Sequence, residues 1–239
     1  MTLPVRTSEG ALAVLKINFA DASEHEHLVL RRWAGDGAVR LLRADPRRRA
    51  LLLERLRPQN LTTLPDVDAC EVVAGLYPRI HVPAMPQLPT LTSNVERWTS
   101  DLEALPRSAP IPHRLVEQAI ALGRDLADEP ADTVVHGNLD YENVLAADRE
   151  PWLVIAPKPL NGDPHYELAP MLWSRWDELA GNIRDGVRRR FYTLVDAAGL
   201  DEERARAWVV VRVIQQATRE LGNPATLTKH VALAKAVQD

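Results

Sequence analysis

The feature that most constrains how this chain folds is a change in the spacing of its apolar residues near residue 57. Before that point the apolar runs have the length of β-strands, and turn residues separate them. Residues 3–6 and 11–17 flank a turn that contains Gly10, which predicts a hairpin. Residues 38–43 and 50–56 flank a polar, proline-containing turn, which predicts a second hairpin. We therefore expect the chain to begin with a small antiparallel sheet.

Helical patterns dominate the rest of the sequence. One helix is expected within the sheet region, over residues 24–33, with capping side chains at residues 21–23. Beyond Pro58, amphipathic helical periodicity appears in five segments. These segments are residues 66–77, 95–105, 112–126, 183–198 and 202–221. Short strands at residues 133–135, 144–146 and 152–155 interrupt the helical part around a polar loop.

This order of parts predicts an α+β fold with two lobes. The N-lobe is a small antiparallel sheet with one helix over residues 1–56, and the C-lobe is larger and mainly helical over residues 57–239. The C-lobe contains the short strands and the loop between them. A sheet-based lobe, a leucine-rich connector at residues 51–56 and a helical lobe resemble the plan of protein-kinase-like phosphotransferases.

Composition excludes several classes of function. The formal net charge is −4 and the sequence pI is about 6.0, so no global basic surface favours nucleic acid as a partner. No window of about 18 apolar residues predicts a membrane span, and no leader pattern is visible at the first residues. The single cysteine, Cys70, excludes an internal disulfide and suits a reducing compartment. We therefore expect a cytoplasmic protein without a membrane or nucleic-acid partner.

Two segments carry residues typical of phosphoryl transfer. Lys16 ends an apolar strand pattern, and Glu26 lies where the next helix begins, with Glu24 as an alternative. A strand lysine held by a helix carboxylate grips nucleotide phosphates in kinases. The second segment, residues 135–145, reads Val-His-Gly-Asn-Leu-Asp-Tyr-Glu-Asn-Val-Leu, and residues 152–164 follow with Trp-Leu-Val-Ile-Ala-Pro-Lys-Pro-Leu-Asn-Gly-Asp-Pro.

These residues resemble the catalytic loop and metal strand of the aminoglycoside phosphotransferase family, in the branch of streptomycin 6-kinases and hydroxyurea phosphotransferases. The resemblance implies ATP and Mg²⁺ as cofactors. It also implies nucleotide contacts from the Lys16–Glu26 pair and from Glu54 and Leu56 in the connector. His136 would brace the catalytic loop, and Asn143 would coordinate the metal.

The sequence departs from the family pattern at the positions that perform the chemistry. The family's catalytic aspartate is Asn138 here, and an amide cannot act as a carboxylate base. The aspartate that holds the metal is Ala156, and a methyl group offers no oxygen to Mg²⁺. Asp140 replaces the family's second histidine and is the candidate substitute for the lost base. Only residues 1–9 precede Gly10, so we expect a truncated N-lobe whose glycine-bearing lid over the phosphates is shortened or absent.

Three functional hypotheses follow. The first is a pseudokinase, or a strongly impaired kinase, that binds ATP and Mg²⁺ weakly or not at all. It would act by binding a metabolite, or a protein or second copy at the exposed sheet edge. The second is an active ATP-dependent small-molecule phosphotransferase, or the same fold used for other biosynthetic chemistry. The third is a truncated remnant of a functional kinase.

Several surface features are interpreted from their pattern alone. Acidic residues after the loop would suit an amine-bearing ligand, and a solvated surface is the alternative that explains at least half of them; they are Asp140, Glu142, Asp163, Glu167 and Asp177. Trp173 and Trp176 are three apart, which favours one helix face packed on the core. The arginines at residues 188–190 are predicted to form a solvated helix face.

Overall fold

The computed structural model describes residues 1–18, 24–128 and 131–238. Four antiparallel strands form the sheet of the N-lobe, in the spatial order β1-β2-β4-β3. They are β1 (Thr2–Arg6), β2 (Leu12–Ile17), β3 (Leu41–Asp45) and β4 (Ala50–Glu54). Lys16 lies opposite Thr2 on one side and Leu51 on the other, so it projects from a central strand. Strand β1 forms one edge of the described sheet, as expected.

The predicted N-lobe helix is present as α1 (Glu26–Trp33). Val29, Leu30 and Trp33 are buried beneath the sheet, and Ala34 ends the helix in a left-handed conformation. The predicted capping residues 21–23 lie outside the described residues. Residue His25 precedes the helix and makes no side-chain capping hydrogen bond.

The second hairpin differs from its prediction in where its first strand begins. Strand β3 starts at Leu41 and not at residue 38, because the chain before it pairs with the C-lobe. Ala38 forms a parallel bridge with Val154, and the Val39 amide donates to the Val154 carbonyl at 3.0 Å. The turn is a 3₁₀ segment, Pro46–Arg48, in which the Asp45 carboxylate accepts from the Arg48 amide. Residues 37–39 therefore join the two lobes.

Seven α-helices build the described part of the C-lobe. They are α2 (Asp66–Ile80), α3 (Leu91–Glu103), α4 (His113–Ala127), α5 (Leu168–Trp173), α6 (Ile183–Ala198), α7 (Glu202–Thr218) and α8 (Pro224–Ala236). The pattern did not predict α5 or α8, because α5 is less than two turns long and α8 has apolar residues on several faces. Within the described residues, the helices are too short or too polar to cross a bilayer.

Two short antiparallel strand pairs lie between α4 and α5. Strand β5 (Thr133–Val135) pairs with β8 (Leu160–Gly162), and β6 (Val144–Ala146) pairs with β7 (Trp152–Val154). The sequence did not predict β8, because Leu160 is its single apolar side chain. The two strand pairs hold the two ends of the loop that carries residues 136–143.

The two-lobed α+β architecture with a small antiparallel sheet and a mainly helical C-lobe is confirmed. One hydrophobic cluster extends from Val29 and Leu30 in α1 through α2 and β7 to Val237 near the end of the chain. The boundary near residue 56 remains a prediction. Because residues of both lobes share this cluster, the loop at residues 136–143 is held at a fixed position between them.

Candidate functional site

The strand lysine, Lys16, and the helix carboxylate, Glu26, form an ion pair in direct contact. Lys16 Nζ lies 2.7 Å and 2.8 Å from the two carboxylate oxygens of Glu26, and Asn18 Nδ2 donates to Glu26 Oε2 at 2.8 Å. The Glu26 side chain is fully buried, whereas the alternative, Glu24, is exposed. The structure therefore brings together the lysine and Glu26, which are ten residues apart in the sequence.

His136 braces the loop from inside the core. It is fully buried, its Nε2 lies 3.0 Å from the Ile155 carbonyl, and its Nδ1 accepts from the Asn138 amide at 3.2 Å. Its ring stacks parallel to Trp33 with centroids 6.1 Å apart. Burial lowers the pKa of His136 to about 3, against a smaller opposing effect of the Ile155 carbonyl. Both ring nitrogens are thus occupied on a neutral imidazole, which suits a bracing role.

Glu167 holds the backbone at the start of the loop. Its fully buried carboxylate accepts from the His136 amide and, at 3.1 Å, from the Gly137 amide. Burial raises the pKa of Glu167 to about 7, although nearby Arg212 and these two amides oppose the increase. Carboxylates are rarely buried without such partners. Glu167 thus fixes the direction of the peptide that leads to Asn138.

Glycine is required at position 137 because the backbone of Lys158 lies too close to leave room for a side chain. Its φ is +75°, and a Cβ there would lie 2.2 Å from the Lys158 carbonyl oxygen. The Lys158 amide donates to the His136 carbonyl at 2.9 Å, and Arg212 Nη2 donates to the Gly137 carbonyl at 2.8 Å. No other residue type fits this position without moving the backbone. The segments at residues 136–138 and 156–158 are therefore held side by side.

Asn138 and Ala156, at the two chemically altered positions, are neighbours. Asn138 Nδ2 lies 3.3 Å from the Ala156 carbonyl, which accepts its hydrogen bond. Ala156 has φ +52°, a conformation in which aspartate and asparagine are enriched and alanine is uncommon. The backbone thus keeps a geometry suited to a polar side chain, while the side chain present is a methyl group.

Asp140 does not occupy the place of the missing base. Its Oδ1 accepts from the Glu142 amide at 3.0 Å, the Asn143 amide at 3.1 Å and Asn143 Nδ2 at 3.0 Å. These bonds cap the 3₁₀ turn Tyr141–Asn143. Burial raises the pKa of Asp140, and the bonds from the turn oppose that increase. Asp140 borders a different cavity from the one that Asn138 borders, so it holds the turn in place.

The residues present do not fit a magnesium site. Asn143 Nδ2 donates to the Asn138 carbonyl at 2.8 Å as well as to Asp140, which leaves the Asn143 amide oxygen as its possible metal ligand. Ala156 contributes no side-chain oxygen. Mg²⁺ in nucleotide sites is usually held by one or two carboxylates together with phosphates. A single neutral oxygen lacks the charge that such a site needs.

The connector is fixed to the C-lobe through Glu54. Its carboxylate accepts from the Arg40 amide at 2.7 Å and from Arg149 Nη2 at 2.7 Å. Arg149, in the turn between β6 and β7, also donates to the Gly35 and Ala38 carbonyls, both at 2.7 Å. The Glu54 carboxylate is thus occupied by Arg40 and Arg149, and a nucleotide contact from Glu54 stays a prediction. Leu56 packs, partly buried, against the core.

The acidic residues after the loop give little support to an amine-bearing ligand. Asp163 is buried, with hydrogen bonds from His165 Nδ1 at 2.6 Å, Arg204 Nε at 2.5 Å and Trp208 Nε1 at 2.5 Å. The carboxylate of Glu167 is occupied by the loop. The interpretation of this acidic segment as an amine-binding surface was therefore wrong for these two residues.

The lowered pKa of Asp163 predicts that the protein loses stability in acid. Burial alone would raise its pKa, but the bonds from His165 and Trp208 outweigh burial and lower the pKa from 3.8 to about 2. Since the folded pKa lies below the unfolded one, Asp163 stabilises the fold by about 2 kcal/mol above pH 4, and this is lost as the pH falls from about 4 to 2. Urea unfolding across this range is expected to show a smaller pH dependence in Asp163→Asn than in the parent. Equal dependence in the two proteins would contradict this assignment.

A large cavity opens beside the loop. Its volume is about 740 Å³, and Gly137, Asn138 and Lys158 line one side of it. Trp173 and Arg212 also line it. Trp173 ends α5, whereas Trp176 begins a separate 3₁₀ turn, so the prediction that the two tryptophans share a helix face was wrong.

Several residues that build this site were not predicted as such from the sequence. Arg149, Glu167 and Arg212 each contact backbone groups that are between 30 and 114 residues away in the chain. The available signal was weak: Glu167 is an acidic residue directly before an apolar helix, and Arg212 interrupts the apolar run of α7.

Comparison with known proteins relates this geometry to a family. Residues 1–222 match the family model described as aminoglycoside/hydroxyurea antibiotic resistance kinase. A streptomycin 6-kinase of Streptomyces glaucescens is 39% identical, over 100% of this chain and 81% of that protein. A hydroxyurea phosphotransferase of Kitasatospora aureofaciens is 39% identical, over 98% of this chain and 70% of that protein.

A solved structure shares the fold. A thermostable mutant of aminoglycoside phosphotransferase APH(4)-Ia, in ternary complex with ADP and hygromycin B, superposes with a TM-score of 0.64. It is 17% identical, and the match covers 100% of this chain and 93% of that one. The likeness extends over both lobes.

Proposed function

Because the chain belongs to the aminoglycoside/hydroxyurea antibiotic resistance kinase family, we propose that it is a pseudokinase of that family, which binds a small molecule and transfers phosphate slowly or not at all. One observation carries this proposal. The reaction needs a carboxylate at each of two neighbouring positions, and these positions hold Asn138, whose amide donates to the Ala156 carbonyl, and Ala156 itself. A cytoplasmic location belongs to the same proposal, since the single cysteine, Cys70, is buried and unpaired.

The chemical argument concerns a base and a cation. The amide of Asn138 cannot accept the proton of an attacking hydroxyl, and loss of a base costs about two to four decades of rate. Asp140 is held by the turn and supplies no substitute. Bound Mg²⁺ would neutralise charge on the phosphates, but Ala156 and Asn143 provide one neutral oxygen for it. Both defects slow the same reaction.

A second candidate function is an active small-molecule phosphotransferase. The 2.7 Å Lys16–Glu26 pair favours it, because this pair is the part of a kinase that grips nucleotide phosphates. The relatives are named as kinases of streptomycin and hydroxyurea, so these compounds are the acceptors to test. The ADP complex of the related fold supports ATP as the nucleotide of this candidate.

A thermal-shift measurement with ATP and magnesium tests the proposal. The parent protein is expected to show no magnesium-dependent stabilisation by ATP, whereas the double variant Asn138→Asp, Ala156→Asp is expected to gain it. At 100 times the Kd, a ligand adds about 2.7 kcal/mol of stability. The backbone at Ala156 already has a conformation that aspartate accepts, so the variant should fold.

A control variant and an activity assay accompany this measurement. The single variant Ala156→Asn adds a polar side chain without a negative charge and should leave the parent's response unchanged. A phosphorylation assay with streptomycin and hydroxyurea should give slow turnover or none for the parent. Magnesium-dependent stabilisation of the parent, or turnover of either acceptor at the rate typical of kinases, about 1–100 per second, would overturn the pseudokinase proposal in favour of the active enzyme.

A further inference from the structure

The cavity beside the loop has a charge opposite to that of the whole chain. Five cationic side chains line it, from α3, the segment before β8, α7, the residue after α7 and α8. They are Arg97, Lys158, Arg212, Arg219 and Lys229. Its lining, within the described residues, includes no aspartate or glutamate, although the chain has a formal net charge of −4. Helix packing has therefore gathered positive charge at one place.

These charges are not held in ion pairs. Among residues 1–18, 24–128 and 131–238, none of the five forms an ion pair within 4 Å, whereas Arg79 and Arg149 each bind a carboxylate. Glu167 lies near Arg212 and Asp177 lies near Lys229, but neither carboxylate lines the cavity, and the Glu167 oxygens bind the loop amides. Like charges gathered in a cleft attract an anion and repel a cation.

Polar groups at the inner wall have capacity for a ligand. Arg212, 7% exposed, donates to the Tyr166 carbonyl at 2.6 Å and the Gly137 carbonyl at 2.8 Å, both neutral acceptors. His230 also lines the cavity, with its Nδ1 buried beneath the surface. A guanidinium group carries five N–H donors, so Arg212 keeps donors beyond these two bonds for an anionic ligand.

Aromatic rings form another wall of the same cavity. Trp98 and Tyr166 are each 7% exposed and stack with centroids 6.2 Å apart, and Arg212 covers the Tyr166 ring at 3.8 Å. Trp173 is only partly buried, so it is the ring of this wall that a planar ligand can contact. The lining thus combines positive charge with one aromatic surface for a ring.

We infer that this cavity binds an anionic small molecule, in which a phosphate or carboxylate group is attached to a ring. This inference deepens the proposed function, on which it rests, by naming the ligand class of the binding protein. Lys16 and Glu26 do not line the cavity, so the proposed anion site is distinct from the pair that would grip nucleotide phosphates. It replaces the prediction of an amine-bearing ligand, because such a ligand would meet uncompensated like charges.

Calorimetric titration of the full chain, without nucleotide, tests the inference with three probes that share a ring and differ in charge. Phenyl phosphate is a dianion, benzoate a monoanion and benzylamine a cation. Phenyl phosphate is expected to bind most tightly, at least about tenfold more tightly than benzylamine, and its affinity should fall as salt is added. The two anions distinguish a phosphate ligand from a carboxylate one.

Charge reversal on one helix supplies a matched control. Lys229→Glu should weaken phenyl phosphate binding by at least about tenfold, while Lys235→Glu, which changes the net charge equally at an exposed position of α8, should change it by less than about twofold. If Lys229→Glu does not fold, exposed Arg219→Glu serves in its place.

Equal weakening in the cavity and control variants would overturn the inference, as would benzylamine binding as tight as that of phenyl phosphate, or no binding of any probe. None of these results bears on phosphoryl transfer. Turnover in the streptomycin assay at the rate typical of kinases would instead overturn the pseudokinase proposal and leave the titration unaffected.

Discussion

Replacing Arg190 with alanine is expected to lower the free energy of unfolding by about 3–5 kcal/mol, because the substitution breaks a buried ion pair. The Arg190 side chain has no exposed surface, and its Nε donates to Asp66 Oδ2 at 2.8 Å. Its Nη1 donates to the Ser174 carbonyl at 2.5 Å. Among the described residues, alanine would leave that carbonyl without its side-chain donor and leave Arg175, 3.4 Å away, as the remaining cationic partner of Asp66.

The neighbouring Arg189 is the control for this prediction. It is exposed on the same helix, α6, and its replacement by alanine should change stability by less than about 0.5 kcal/mol. Urea unfolding monitored by circular dichroism measures both variants. Similar losses in the two would contradict the role given to the Arg190–Asp66 pair, since helix propensity favours alanine at both positions.

Replacing Glu167 with alanine is expected to destabilise the protein by a similar amount, about 3–4 kcal/mol. The substitution leaves the amides of His136 and Gly137 buried without an acceptor, and each unpaired donor costs about 1–3 kcal/mol. It also removes a charge near the buried Arg212. The loop that carries Asn138 should lose its fixed position together with the stability.

Glu167→Gln separates the hydrogen bonds from the charge. The glutamine oxygen can accept from both amides, since both donate to the same oxygen of Glu167. We therefore expect glutamine to recover more than half of the stability that alanine loses, measured by urea unfolding. Hydrogen exchange at the His136 and Gly137 amides should be fast in the alanine variant and slow in the glutamine variant. Equal exchange in both would contradict the role given to the carboxylate.

Local features of the sequence were sufficient for much of the fold. The hairpin of β1 and β2 follows from alternating strands and Gly10, whose φ is +84°. Helix α6 was predicted with the bounds Ile183–Ala198 that the structure has, because its apolar spacing is regular and Gly199 ends it in a left-handed conformation. Such elements depend on neighbours within a few residues, so a single sequence contains the information.

The arginines at residues 188–190 show where this local information ends. They were predicted to form one solvated face, and that prediction was wrong for Arg190, which is among the largest fully buried side chains. Helical spacing places Arg190 on the inner side of α6, but the spacing alone does not reveal a buried acid to receive it. Asp66, 124 residues earlier in the chain, supplies that acid.

The sequence by itself determined the family, the two lobes and the identity of the residues at the chemical positions, including Asn138 and Ala156. Motifs of this kind are contiguous in the chain, so they can be recognised from the sequence without a structure. Only the tertiary structure decided what the charged residues do. It placed Asp140 and Glu167 in hydrogen bonds with the backbone, joined Glu54 to Arg149, and brought five cationic side chains together around one cavity. The physical reason is that the free energy of a charged group depends on its burial and on its partners. Tertiary packing determines both, because it brings together segments that are far apart in the chain.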